Sequence, residues 1–208
     1  MTLWVGTDIR KRHVGSIYDD HLKGRGSNDL IWGLAGVDQL LGRAGDDTLL
    51  GGNNADVLRG GDGNDLLSGG SDRDDLHGGA GDHALFGSRS MDLLFGGIGN
   101  DSLFGAYHSD FLSGAAGNDW LDGGDGDNRL FVGEFYITLS GNFGHDELIG
   151  GDGDDRLAGN CHSDSLYGGT GNDSLSGGRN NDTLSGGHGS DTLLGGAGDD
   201  LLRARPGG

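Results

Sequence analysis

The sequence predicts an all-β chain: a right-handed parallel β-roll solenoid whose 18-residue coils are built from paired nonapeptide repeats. Three observations predict it. From Gly15 to Arg203 the chain divides into 21 consecutive nonapeptides without an insertion or deletion. Internal position eight of these repeats is leucine in 20 and Ile31 in the other, while internal position six is aspartate in 18. Glycine supplies 48 of the 208 residues, concentrated at internal positions one, two and four. Self-similarity at a fixed period marks a repeat architecture and outranks local propensity.

Each element follows from these positions. One aliphatic residue in every nine, flanked by two variable ones, reads as a very short strand whose centre points inward. The other six residues read as a turn, in which glycine supplies positive φ or close backbone approach. The full pattern stands at Gly60-Gly61-Asp62-Gly63-Asn64-Asp65-Leu66-Leu67-Ser68, and again at Gly168 to Ser176 and Gly186 to Leu194. Strand, turn, strand and turn make one coil. Successive coils stack as parallel strands about 4.8 Å apart, so roughly ten coils give a rod on the order of 50 Å long.

Composition narrows the chemistry. Acidic residues outnumber basic ones 33 to 14, for a formal charge of −19. That balance repels nucleic acid and anionic membranes and offers hard oxygen ligands to cations, calcium above all. Only 33% of the chain is hydrophobic, and the lone Cys161 cannot form an internal disulfide. The fold therefore needs another source of cohesion. The first fourteen residues, with Arg10, Lys11 and Arg12, hold no apolar run resembling a secretory signal. No apolar stretch of about 20 residues is present to span a membrane.

Alternate repeats place their turns on opposite sides of the solenoid. Side one, from Gly24 onward, carries aspartate at internal position six as Asp29, Asp47, Asp65, Asp101, Asp119, Asp155, Asp173 and Asp191. Side two, from Gly15 onward, carries Asp20, Asp38, Asp56, Asp74, Asp92, Asp110, Asp146, Asp164, Asp182 and Asp200. His83, Asn128 and Ile137 interrupt the series. Same-side aspartates stand one strand spacing apart, so their repulsion opens the stack unless a cation bridges them. Thirteen adjacent pairs are intact, which sets the ceiling at about 13 ions. Internal position four is glycine in eight of ten side-one repeats but in four of eleven on side two. The side-two substitutes include Asn54, Asp72, Ser90, His108, His162 and Asn180, of which the Asn, Asp and His tolerate left-handed backbone. His108 and His162 lie three coils apart, too far to share a transition metal.

These residues resemble the glycine-rich nonapeptides of RTX proteins, the hemolysin-type calcium-binding repeats, with the pattern G-G-x-G-x-D-x-L-x. The resemblance covers about nine tenths of the chain. It implies that calcium is held between neighbouring same-side turns by backbone carbonyls and by the eighteen aspartates named above. It also implies a secreted, extracellular protein, exported unfolded through type I secretion machinery and folding where calcium is abundant. In that family the export signal lies beyond the repeats, where only Ala204 to Gly208 stand here, so the chain is expected to be a fragment or to belong with another domain.

The chain accordingly divides into an N-terminal flank (1–14), a first stack (15–122), a degenerate coil (123–140), a second stack (141–203) and a tail (204–208). The degenerate coil contains Val132-Gly133-Glu134-Phe135-Tyr136-Ile137-Thr138-Leu139-Ser140, which keeps the length and inward leucine but not the acid. It reads as an apolar, calcium-free seam where both acid columns break. Phe86, Phe95, Phe104, Phe111, Trp120 and Phe131 occupy outward positions seven and nine near it, either as decoration or as a strip for a protein or polysaccharide partner.

No H-E-x-x-H, G-x-S-x-G or P-loop motif occurs. The acids form a lattice, whereas an active site gathers a few unlike groups. The expectation is a non-enzymatic calcium-dependent folding and secretion module. Its alternatives are the accessory repeat of a secreted protease, lipase, epimerase or cytolysin, or a calcium-dependent adhesin segment. An ice-binding face is disfavoured, because only Thr170 supplies threonine at internal position three.

Overall fold

A computed structural model describes residues 3–5, 12–133 and 136–204. The described residues form twenty-three strands and no helix. The strands build two parallel sheets, of 12 and 11 strands, and consecutive strands alternate between them. Each strand pairs with those 18 residues before and after it, so that Leu49 lies opposite Leu67 and Leu67 opposite Leu85. The predicted solenoid is the observed architecture.

The strands are longer than the three residues expected. Leu66–Ser71 is typical: positions seven to nine of one repeat run on through one to three of the next, and only four to six remain as turn. The extra length comes from stacking. Gly52 and Asn53 pair with Gly70 and Ser71 although glycine has little strand propensity of its own. Burial alternates along the strands from Arg12–Val14 to Thr183–His188, with positions eight and one inward in full-length strands such as Leu66–Ser71. The core is thus a file of leucines, with Ile31, sandwiched between the two sheets. Each inward leucine contributes roughly 1.5–3 kcal/mol, but the residue beside it is glycine. The spine is therefore thin.

Gly60, Gly61 and Gly63 show what glycine does in this repeat. A Cβ on Gly60 would collide with Oδ2 of Asp65 and lie 2.8 Å from the carbonyl oxygen of Gly78. Gly61 and Gly63 hold φ of 122° and 125°, which L side chains rarely adopt. Position one is therefore reserved for glycine by the aspartate of its own repeat.

The exception supports that rule. In the repeat that begins at Val132, Ile137 replaces the aspartate, so the space that elsewhere holds a carboxylate against a glycine is filled by two apolar side chains. Ile137 is 3% exposed, and Val132 packs against the leucine file. Glu134 and Phe135 lie outside the described residues. The regular strand is lost here: Arg129–Phe131 has three residues, and pairing resumes at Thr138–Phe143.

Pairing extends into the N-terminal flank. Leu3–Val5 pairs with His21–Lys23, and Arg12–Val14 with the strand Leu30–Ala35. His13 falls opposite Ile31 and is buried, occupying the place of an inward leucine. At the other end, Leu202 is 43% exposed in the strand Leu201–Ala204. Arg205 to Gly208 lie outside the described residues.

Candidate metal centre

All eighteen position-six aspartates fall into two columns, one along each edge of the solenoid where the chain turns between sheets. Sixteen of them are buried, from Asp20 to Asp182, each at 4% exposure or less. Their placement is enforced by the backbone. Oδ1 of fifteen of the eighteen accepts the amide of the same position one coil earlier: Asp47 N–H donates to Asp65 at 2.8 Å, Asp74 to Asp92 at 2.8 Å, and Asp164 to Asp182 at 2.9 Å. Each of these carboxylates thereby ties two coils together before any ion is considered.

The second oxygen is different. Oδ2 of fifteen aspartates, among them Asp38, Asp56, Asp65, Asp101, Asp119 and Asp173, is buried without a hydrogen-bond partner. Such a group is costly unless something compensates it. Burial is the dominant perturbation of their acidity. It pushes Asp38 and Asp47 up to about 6, Asp56, Asp65, Asp92 and Asp101 to about 7, and Asp74 and Asp110 to about 8. The amide bond to the preceding coil opposes the rise only in part. For most of these residues neighbouring carboxylates of the ladder add to it, as Asp38 does for Asp56.

The interruptions are unlike one another. His83 takes its place in the column: Nδ1 accepts the Asp65 amide at 3.2 Å, and its own amide donates to Asp101 at 2.9 Å. Burial lowers its pKa, which favours the neutral ring. Asn128 likewise accepts from Asp110 at 2.8 Å, while its Nδ2 donates to the Gly126 carbonyl at 2.9 Å. These two substitutions remove charge but keep the ladder. Only Ile137 breaks it, having no acceptor to offer the Asp119 amide. Neither oxygen of Asp155, the next member, meets a partner of good geometry. Side two therefore runs through the degenerate coil with its hydrogen bonds intact although Asn128 interrupts its carboxylates, whereas on side one Ile137 interrupts both.

A second ladder, not among the sequence expectations, runs along side one. On side one the internal position-five residues Asn28, Asp46, Asn64, Asp82, Asn100 and Asn118 accept the position-five amide of the next coil, as Asp46 does from Asn64 at 2.9 Å and Asn100 from Asn118 at 2.9 Å. Its polarity is opposite to that of the inner ladder. Asparagines among the aspartates soften the repulsion, with Asn28 Nδ2 donating to Asp46 at 3.2 Å. The signal was available, since eight of ten side-one repeats have Asn or Asp at position five, against four of eleven on side two. At position four of side two, Asn54, Asp72, Ser90, His108, His162 and Asn180 all hold left-handed backbone, with φ from 73° to 81°. The His162 ring meets His145, not His108, at a centroid distance of 5.8 Å.

The donor set fits calcium. Among the described residues no three His, Cys, Asp or Glu side chains gather closely enough to hold an ion by themselves. A cation at these turns therefore draws on one or two carboxylates together with backbone carbonyls. The carbonyls of Gly63, Asn64, Gly99 and Asn100 take no part in the backbone hydrogen bonds between coils. Hard oxygens in a flexible arrangement suit calcium better than the nitrogen and sulfur sites of transition metals.

Comparison with known families agrees. Residues 14–49, 50–82, 86–119, 104–135, 138–160 and 167–202 match the RTX calcium-binding nonapeptide repeat (4 copies), together far more than half of the chain. No individual curated protein matches it. Among the described residues no helix is long and apolar enough to cross a membrane. The chain is a calcium-binding repeat protein of the RTX nonapeptide family.

Proposed function

We propose that this chain is a calcium-dependent folding module, without catalytic activity of its own, of a protein exported by type I secretion and ordered outside the cell. One observation carries the reading: two columns of buried carboxylates, most of whose Oδ2 atoms have no hydrogen-bond partner and whose acidity burial suppresses, as at Asp56 and Asp74. Calcium supplies the missing positive charge and converts a repulsive column into a cohesive one. The position-six aspartates of both columns are the proposed side-chain ligands, up to about 13 ions where two successive acids remain. Because the column does not exist in the unfolded chain, binding free energy becomes folding free energy. The family membership supports export, and the low calcium of a cytoplasm would keep the polypeptide unfolded until it leaves.

The test is a calcium titration followed by circular dichroism, with magnesium at equal concentration as control. Strand signal should appear with calcium and not with magnesium, which demands a tighter octahedron and keeps its waters. A chain fully folded in chelator, or unresponsive to millimolar calcium, would overturn the reading. Calorimetry on the same sample gives the number of ions.

A further inference from the structure

The outward aromatic residues form two stacks, one on each sheet. On one sheet His77 lies on Phe95 (centroids 4.8 Å, 12° between planes), Phe95 meets Phe111 at 5.6 Å, and Phe111 stacks on Phe131 at 5.2 Å and 28°. The Arg129 guanidinium covers the end of this stack, 5.7 Å from the Phe131 ring centre, and pairs with Glu147 at 2.6 Å. On the other sheet Phe86 stacks on Phe104 at 4.9 Å and 6°, and Phe104 meets Trp120 edge-on at 5.3 Å. These ring contacts run from coil to coil and so join successive coils on each sheet.

Their location matters. Both stacks lie between residues 77 and 131, and this is the stretch where the acid columns are thinnest. Side one has His83 at one end and Ile137 beyond the other, leaving Asp101 and Asp119 as its one adjacent pair there. Asn128 dilutes side two at the same level. Where carboxylates are fewest, ring contacts add to the ladder bonds that join successive coils, and ring contacts need no cation.

We propose that residues 75–131 are the nucleus of the solenoid: they order at lower calcium than the coils on either side and present finished strand edges on which those coils assemble. The inference rests on the calcium-dependent folding proposed above. It assigns the aromatic stripe a structural task in folding order.

Hydrogen exchange on the intact chain at limiting calcium is the first test. Protection should be concentrated in residues 75–131 and spread outward as calcium rises, whereas uniform protection at every calcium level would overturn the nucleus. Two single-tryptophan chains give a second test. One carries Trp4→Phe and Trp32→Phe and reports from Trp120; the other carries Trp4→Phe and Trp120→Phe and reports from Trp32. The Trp120 signal should become native at lower calcium than the Trp32 signal, and Phe104→Leu, which keeps bulk but removes the ring, should close that gap. Coincident midpoints in the unsubstituted pair, or an unchanged gap in Phe104→Leu, would refute the nucleus while leaving calcium-dependent folding intact. Absence of any calcium transition in circular dichroism would refute both.

Discussion

The repeat Gly60 to Ser68 and the repeat Val132 to Ser140 have the same length, the same inward leucine and opposite interiors. The first presses a carboxylate against a glycine; the second replaces both with aliphatic side chains and gives up the ladder bond. The difference teaches that positions one and six are a single structural choice. A carboxylate needs the missing Cβ, and a Cβ is admitted only where the carboxylate has gone. One choice yields a coil whose interior holds a carboxylate for a cation or a proton to meet, and the other a coil whose interior holds none.

The largest consequence is in pH. An unperturbed aspartate titrates near 3.8, and burial pushes eleven of the ladder aspartates up, from about 6 at Asp38 through about 7 at Asp56 to about 8 at Asp74. Between those values the folded chain holds more protons than the unfolded one, so its stability is greatest below about pH 4 and falls as pH rises through the folded values. Without calcium, the chain should therefore show more strand signal near pH 5.5 than at pH 8. In calcium the same protons compete with the ion, so the calcium midpoint should rise as pH falls. A chelated chain equally disordered at both pH values would mean that the carboxylates are not buried as described. Exchange protection within 132–140 should change least with pH, since Ile137 carries nothing to titrate.

Smaller effects come from exchanging the two interiors. Gly60→Val should destabilise the calcium-loaded chain by about 1–3 kcal/mol, an overpacking cost. Adding Asp65→Ile should recover part of that loss, giving a positive coupling in a double-mutant cycle read by thermal unfolding. Additive losses would show that the two positions do not share space. The reverse exchange, Val132→Gly with Ile137→Asp, restores a carboxylate between Asp119 and Asp155. Calorimetry should then count more ions per chain, whereas Ile137→Asp alone, pressed against Val132, should not add them.

What the sequence revealed follows from how a solenoid is built. Its period, inward leucine and acid columns were legible because every coil repeats the same contacts at the same spacing. Strand length was not, because Gly69 and Gly70 look like turn residues and join the strand through its stacking on the coils above and below. The ring stacks were hidden for a related reason. Phe95 and Phe111 stand at different internal positions and meet diagonally, Phe95 being paired in register with Ser113 and Phe111 with Leu93. Comparing like positions with like cannot find such contacts, although aromatic side chains reach diagonal neighbours readily. The outer Asn and Asp ladder has its signal at position five, where side one carries Asn or Asp in eight of ten repeats.

The smallest effect concerns residues that keep the repeat but violate its backbone. At position two, where Gly61 and Gly79 sit at φ of 122° and 123°, Leu34 and Arg43 hold φ of 85° and 91°. A left-handed conformation costs a side-chain-bearing residue roughly 1–2 kcal/mol. Glycine removes that strain but gives back part of the gain through the greater freedom of the unfolded chain. Arg43→Gly should therefore stabilise the calcium-loaded chain by somewhat under about 1 kcal/mol, seen as a slightly higher melting temperature. Gly61→Ala should move it the other way and further, because its Cβ would also meet the Arg43 carbonyl. If Arg43→Gly instead destabilises, the arginine side chain contributes more to the stack than its backbone strain removes, and position two is chosen for its side chain even where glycine would fit.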